Sequence, residues 1–128
     1  MSYSKKNLRE LKDAAADFGF SETHEARFGR EALGAEQTGF AYQFVKPGKR
    51  QAFGHRHANA EEVYVVLSGS GRIKLDDELV EIERLDAIRV GPPVLRSFEA
   101  GPEGLELLAF GPHHPGDAEV VPDVWKDS

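Results

Sequence analysis

The chain has 128 residues, which is the length of one compact domain rather than two. It contains no cysteine, and this excludes disulfides, thiolate metal sites and cysteine nucleophiles. The formal net charge is −6 and no segment is rich in lysine and arginine. Neither nucleic acid nor an anionic membrane is therefore expected as a partner, because both are bound through clustered cations.

The N-terminal segment lacks the apolar core of a signal peptide. The sequence also has no run of about 18 apolar residues, the length that a membrane-spanning helix needs. We therefore expect a cytoplasmic protein formed by a single domain over residues 1–128.

An amphipathic helix is predicted near the N-terminus. Its apolar residues recur every three or four positions, which places them on one helix face. These residues are Leu8, Leu11, Ala15 and Phe18. Asn7 precedes the pattern as the N-cap, with Glu10 as its capping-box partner, and Gly19 supplies the stop signal. We expect this helix to cover the outside of a β-structure.

From residue 26 onward, short extended segments alternate with Gly, Pro and Asp turns. The predicted strands are residues 26–28, 40–45, 62–67, 72–75, 79–82, 87–90, 94–100 and 105–110. Many short strands in this arrangement predict an all-β sandwich or barrel. The tail from residue 111 contains three prolines and is predicted to be irregular, with Trp125 packed on the barrel or on a partner subunit.

The segment 40–45 carries aromatic residues on one face and smaller or polar residues on the other. The first face is Phe40, Tyr42 and Phe44, and the second is Ala41, Gln43 and Val45. Alternation alone leaves open which of the two faces points inward.

Two histidines and a glutamate form the most informative pattern in the chain. His55 and His57 lie two positions apart, and on a strand residues with this spacing point to the same side. A short loop at residues 58–60 lets the chain reverse, and Glu62 begins the next strand. If the two strands are neighbours, the three side chains converge into a set that suits Fe(II) and also accommodates Zn, Mn or Ni. Alternate histidines also occur as partly exposed surface residues, so the spacing leaves both readings open.

This segment resembles the first conserved motif of the cupin superfamily, G-x5-H-x-H-x3–4-E-x6-G. His55, His57 and Glu62 match the three metal ligands of that motif, and Gly69 matches its last glycine. Gly48 lies one residue further from His55 than the motif places its first glycine. The resemblance implies a cupin-type double-stranded β-helix, or jelly-roll barrel. The barrel core would cover about residues 38–111, with the N-terminal helix and the C-terminal tail packed outside.

The second cupin motif, G-x5-P-x-G-x2-H-x3-N, resembles residues 85–100 less closely. Arg96 stands where the motif has its fourth ligand, a histidine, and a guanidinium has no lone pair to give a metal. Three alternatives remain open for this side chain. Arg96 pairs with Glu62, or it holds an anionic substrate group over a three-ligand metal, or it faces solvent after a register slip of one residue.

Strand parity adds further residues to the predicted ligand pocket. These pocket residues are Arg96, Tyr64, Phe53 and Phe98. The remaining histidines are expected to be uninvolved: His24 is predicted to be structural or exposed, and His113 and His114 to lie on the surface.

Two hypotheses of function follow. In the first, the chain is a metal-dependent cupin enzyme, such as a dioxygenase or an isomerase, that acts on a small and anionic molecule. In the second, it is a non-catalytic ligand-binding or dimeric cupin in which Arg96 pairs with Glu62 and no metal is bound. Neither hypothesis names a reaction, because one fold hosts many chemistries. The resemblance further implies a homodimer.

Overall fold

Strands dominate the structure, a computed structural model that describes residues 2–126. Within these residues the strands are β1 His24–Phe28, β2 Thr38–Val45, β3 Phe53–His57, β4 Glu62–Leu75, β5 Glu78–Glu83, β6 Ala87–Val90, β7 Arg96–Pro112 and β8 Ala118–Pro122. The helical segments are a 3₁₀ turn at Leu8–Glu10, α1 at Ala14–Asp17 and α2 at Arg30–Leu33. No helix within residues 2–126 is both long and apolar enough to cross a bilayer.

All strand pairs are antiparallel and belong to one sheet that curls on itself. One path through the sheet runs β1-β2-β7-β3-β8, and β4 pairs with β5, β6 and β7. The β4–β7 register shifts twice, next to Val66 and next to Gly69, where the long strands bend. Gly71 is required at this bend, because a Cβ there would lie 2.0 Å from the carbonyl oxygen of Glu99. The all-β fold predicted from the sequence is confirmed.

The short N-terminal helix is present but interrupted. Asn7 caps the 3₁₀ turn by accepting a hydrogen bond from Arg9 N, and Asp13 caps α1 in the same way through Ala15 N. Asp13 also accepts from Ala26 N at 3.0 Å, which ties α1 to β1. A carboxylate that prefers a cap position therefore restarts the helix in the middle of the apolar pattern.

Several strand boundaries differ from the prediction. The predicted strands at 62–67 and 72–75 are one strand, β4, and those at 94–100 and 105–110 are likewise one strand, β7. In β4, Gly69 and Gly71 pair with Leu105 and Ala100, so the pairing continues through the glycines that signal a turn. In β7, residues 101–104 are an irregularity between these two paired positions. The prediction of an irregular tail was wrong at β8, which pairs with β3 at five positions and covers an edge that would otherwise be open.

The core lies between the inward faces of β2, β4 and β7. Its fully buried side chains include Val45, Tyr64, Val66, Ile73, Phe98, Leu105 and Leu107. On β2 the buried face is Ala41, Gln43 and Val45, which settles the alternative left open by the sequence. Trp125 packs on the barrel, and its Nε1 donates to Ser97 Oγ at 2.9 Å.

Candidate metal centre

The structure brings the two imidazoles and the carboxylate together where β3 ends and β4 begins. His55 and His57 occupy β3, and Glu62 is the first residue of β4. Glu62 Oε1 lies 3.1 Å from His55 Nε2 and 3.2 Å from His57 Nε2. One ligand atom from each residue lies within 4.8 Å of the other two. Ligands bound side by side at about 2.1 Å from a common metal lie about 3.0 Å apart, so these separations suit one ion.

His57 has an unusual environment for a buried imidazole. Both ring nitrogens are buried, and neither forms a well-aligned hydrogen bond within residues 2–126, although Nε2 lies 3.2 Å from Glu62 Oε1 and Nδ1 lies 3.3 Å from Asp117 Oδ2. Such a group is costly to desolvate unless something binds it. A metal at Nε2 would satisfy that atom, and the residues present therefore fit a divalent transition metal.

Glu62 is held as a carboxylate by its neighbours. Tyr64 Oη donates to Glu62 Oε1 at 2.6 Å. Burial by itself would raise the pKa of Glu62, but His55, Tyr64 and His57 lower it to about 2 through hydrogen bonds and charge. Glu62 is therefore ionised at neutral pH and able to bind a cation.

Tyr64 is fully buried beneath Glu62. Burial and the adjacent Glu62 carboxylate raise the pKa of its hydroxyl well above the usual value, so the hydroxyl keeps its proton. Its ring packs edge-on against Phe98, with the centroids 4.9 Å apart. Tyr64 thus fixes the position of the carboxylate rather than exchanging a proton with it.

A cavity of about 580 Å³ opens above these residues. Phe53, His55, His57 and Glu62 line it. Its other walls come mainly from β1 and β2 and are largely apolar. The volume is that of a pocket for a small organic molecule.

Three of the four predicted pocket residues do not line the cavity. Arg96, Tyr64 and Phe98 are buried behind Glu62, because their side chains fill the narrow interior of the barrel. Phe53 does line it. His113 and His114 are exposed at the cavity mouth, as expected of surface residues.

No family model matches the chain. The chain is 31% identical over 70 residues to an uncharacterized protein of Methanocaldococcus jannaschii. The aligned region covers 52% of this chain and 56% of that protein. The match thus spans little more than half the length of this curated relative.

A cupin protein from Bacteroides fragilis superposes with a TM-score of 0.71, at 22% identity, over 91% of this chain and 88% of that chain. This chain has the cupin fold. Streptomyces Pac13, a nucleoside dehydratase whose structure contains uridine, superposes with a TM-score of 0.74 at 16% identity, over 98% of both chains. Similarity at these levels of sequence identity shows a shared fold and does not show the activity of this chain.

Arg96 stands where the second cupin motif has its fourth ligand, and its side chain points inward. Its side chain is fully buried, which excludes the register slip that would turn it to solvent. Nη1 donates to Glu62 Oε1 at 3.2 Å, and Nη2 donates to Gly91 O at 2.8 Å. The Arg96–Glu62 pair is therefore formed. Arg96 does not reach the cavity, so it is not placed to hold a substrate directly.

Asp117 contacts the candidate metal centre and was not predicted from the sequence. Its carboxylate accepts hydrogen bonds from Asn59 N and Ala60 N, in the loop between β3 and β4. Oδ2 also lies 3.3 Å from His57 Nδ1. Burial opposes ionisation of Asp117, but the bonds from Ala60 and Asn59 and the nearby His57 lower its pKa. No local pattern signals this contact, because Asp117 is distant in sequence and β8 was not predicted.

Proposed function

We propose that this cupin is a metal-dependent enzyme that acts on a small molecule held in the cavity. His57 carries the proposal, because its buried Nε2 forms no well-aligned hydrogen bond within residues 2–126 and lies among ligand atoms of His55 and Glu62 that are within 4.8 Å of one another. His55, His57 and Glu62 would hold the metal, and two imidazoles with one carboxylate suit Fe, Mn, Ni or Zn. When bound, the metal supplies a Lewis acid with open positions for a substrate oxygen.

The charges around the site support an anionic substrate group. Glu62 and Asp117 contribute two negative charges and Arg96 one positive charge, while the imidazoles are neutral when they bind metal. A divalent cation would change the sum of these charges from −1 to +1. The loaded site would then attract a carboxylate or a similar anion, although Arg96 itself stays behind Glu62.

The protein's own residues would hold the Glu62 carboxylate in place and surround the bound molecule with apolar side chains. Tyr64 and Arg96 hold Glu62 from below, so the carboxylate cannot rotate freely. Phe53 and the largely apolar cavity walls would lower the local dielectric constant, which strengthens polar interactions inside the cavity. Pac13 provides a precedent, because this fold carries an enzyme of small molecules in that protein.

A second candidate function rests on the Arg96–Glu62 pair. At 3.2 Å, Arg96 Nη1 already neutralises the carboxylate that a metal would need, and it does so in a fully buried position. In this alternative the chain is a non-catalytic cupin that binds a small ligand without metal. A carboxylate offers about four lone-pair sites, so Arg96 and a metal are not mutually exclusive by number of contacts.

Metal analysis of untagged protein distinguishes the two functions. The enzyme proposal expects about one equivalent of a transition metal in the wild type and in His114→Ala, an exposed histidine that serves as the control. It expects loss of that metal in His57→Ala and in Glu62→Gln. The proposal would be overturned, and the second candidate supported, if the purified protein contains no metal and its melting temperature does not change with EDTA or with added Fe, Mn, Ni or Zn.

A further inference from the structure

A second pair of polar side chains lies in the same cavity, on β1 and β2 rather than on β3 and β4. His24 is 2% exposed and Gln43 is 9% exposed, and both line the cavity. In the β1–β2 register, His24 faces Val45 and Ala26 faces Gln43. His24 and Gln43 are therefore diagonal neighbours on the inner face, with Cβ atoms no more than about 7 Å apart. Side chains at that distance are close enough to contact one small ligand.

The direction of the Gln43 amide is fixed by a chain of hydrogen bonds. Phe98 N donates to Gln51 Oε1 at 3.1 Å, and this orients the Gln51 amide. Gln51 Nε2 then donates to Gln43 Oε1 at 3.2 Å. Because its oxygen is used in this way, Gln43 presents Nε2 as a donor. This donor forms no hydrogen bond with another residue within residues 2–126, so it is available to the oxygen of a ligand in the cavity.

The tautomer of the His24 ring depends on its hydrogen bond with Thr23. Thr23 Oγ1 lies 3.0 Å from both Phe20 O and His24 Nδ1. When its single hydrogen is donated to Phe20 O, its oxygen accepts from the Nδ1–H group of His24. The Nδ1–H tautomer leaves a lone pair on Nε2, for which the described part of the chain offers no donor. Burial lowers the pKa of His24, which keeps the ring neutral and Nε2 available as an acceptor.

We infer that His24 and Gln43 form a second subsite, which binds a ligand through an N–H group next to a carbonyl group. Gln43 donates to the carbonyl oxygen, and His24 accepts from the N–H. Lactams and cyclic imides present these two groups side by side. The subsite adds a substrate class to the proposed function, because it lies in the same cavity as the candidate metal centre. Ligand binding at the subsite does not require the metal, and only the reaction of the bound ligand rests on the proposed function.

Phe53 connects the two ends of this cavity. Its ring contacts His24 edge-on, with the centroids 5.9 Å apart, and it precedes His55 by two positions on β3. A ligand that contacts both ends would therefore pass over an aromatic ring. This arrangement favours a flat, partly apolar molecule that carries the amide edge at one end and a metal-binding oxygen at the other.

Binding of 2-pyridone to EDTA-treated protein tests the subsite without metal. We expect saturable binding of 2-pyridone, monitored by NMR. The affinity for N-methyl-2-pyridone, which lacks the N–H group, should be about tenfold weaker or more. In Gln43→Leu we expect a similar loss, whereas the exposed Gln37→Leu serves as a matched control without loss. Gln43→Glu keeps the acceptor for Gln51 but removes the donor, so it covers the case in which Gln43→Leu fails to fold.

The outcomes separate this inference from the proposed function. Equal binding of the two pyridones, or 2-pyridone binding that Gln43→Glu leaves unchanged, would overturn the subsite. A His24 ring whose ¹⁵N shifts show a proton on Nε2 would overturn it as well. His57→Ala should lose metal yet keep 2-pyridone binding, and Gln43→Glu should show the reverse. Wild-type protein that binds 2-pyridone but no metal would therefore count against the metal site alone.

Discussion

His57 Nδ1 lies 3.3 Å from Asp117 Oδ2, and this contact joins the metal-site strand β3 to the residue that precedes β8. The same carboxylate accepts from the backbone of Asn59 and Ala60, so it also holds the loop that leads to Glu62. A carboxylate behind a ligating histidine orients the ring and makes it a stronger base. If the centre binds metal, Asp117 would therefore act as a positioning residue for it.

Asp117→Asn should weaken metal binding by about 10–100-fold, because the amide cannot provide the negative charge behind His57. Affinity can be measured by competition with a chelator of known strength. Asp77→Asn, which changes an exposed aspartate in the β4–β5 turn, is the matched control and should bind as the wild type does. Unchanged affinity in Asp117→Asn would show that the contact has no role in positioning His57.

Arg96→His should strengthen metal binding, because it removes a buried positive charge and adds an imidazole at the fourth-ligand position of the fold. Without metal, the same variant should be less stable by about 3–5 kcal/mol, since Glu62 loses its buried partner. Chelator competition and denaturant unfolding in EDTA measure the two effects. Arg96→Gln removes the charge without adding an imidazole. If both variants bind metal equally well, the added nitrogen does not ligate.

The Glu62 carboxylate should make the stability of the metal-free protein depend on pH in acid. Its pKa is lowered from 4.5 to about 2 in the folded state, so its contribution is fully present above pH 4.5 and is lost as pH falls through 2. A shift of this size corresponds to about 3 kcal/mol. The difference in free energy of unfolding between wild type and Glu62→Gln, measured in EDTA, should shrink over this range. A difference that stays constant from pH 5 to pH 2 would contradict the shift.

Trp125 should stabilise the strand that carries both histidines. Its Nε1 donates to Ser97 Oγ, which in turn donates to Phe53 O at the start of β3. Trp125→Ala should cost about 3–5 kcal/mol, because it removes a large buried side chain. Trp125→Phe keeps most of the ring and should cost only about 1 kcal/mol for the lost hydrogen bond. Hydrogen exchange of the β3 amides should quicken in Trp125→Ala, and unchanged exchange would place the effect elsewhere.

Local sequence predicted the convergence of His55, His57 and Glu62 because each step is short. Strand parity sets the relative direction of the two imidazoles, and a loop of a few residues returns the chain to Glu62. The sequence could not decide how Arg96 is oriented, since a shift of one residue in β7 would turn it to the other face. The β7 register, with Arg96 opposite His55, decides this.

Sequence by itself determined the all-β fold class, the buried alternation along the strands and the three candidate ligands, all of which depend on neighbours within about ten positions. Tertiary structure alone decided that β8 covers β3, that Asp117 lies behind His57 and that His24 and Gln43 share one cavity wall. These contacts join residues that are distant in the chain. They form because open strand edges and buried polar atoms are stabilised by a hydrogen-bond partner. Which edges are open and which atoms are buried is determined only when the barrel is assembled.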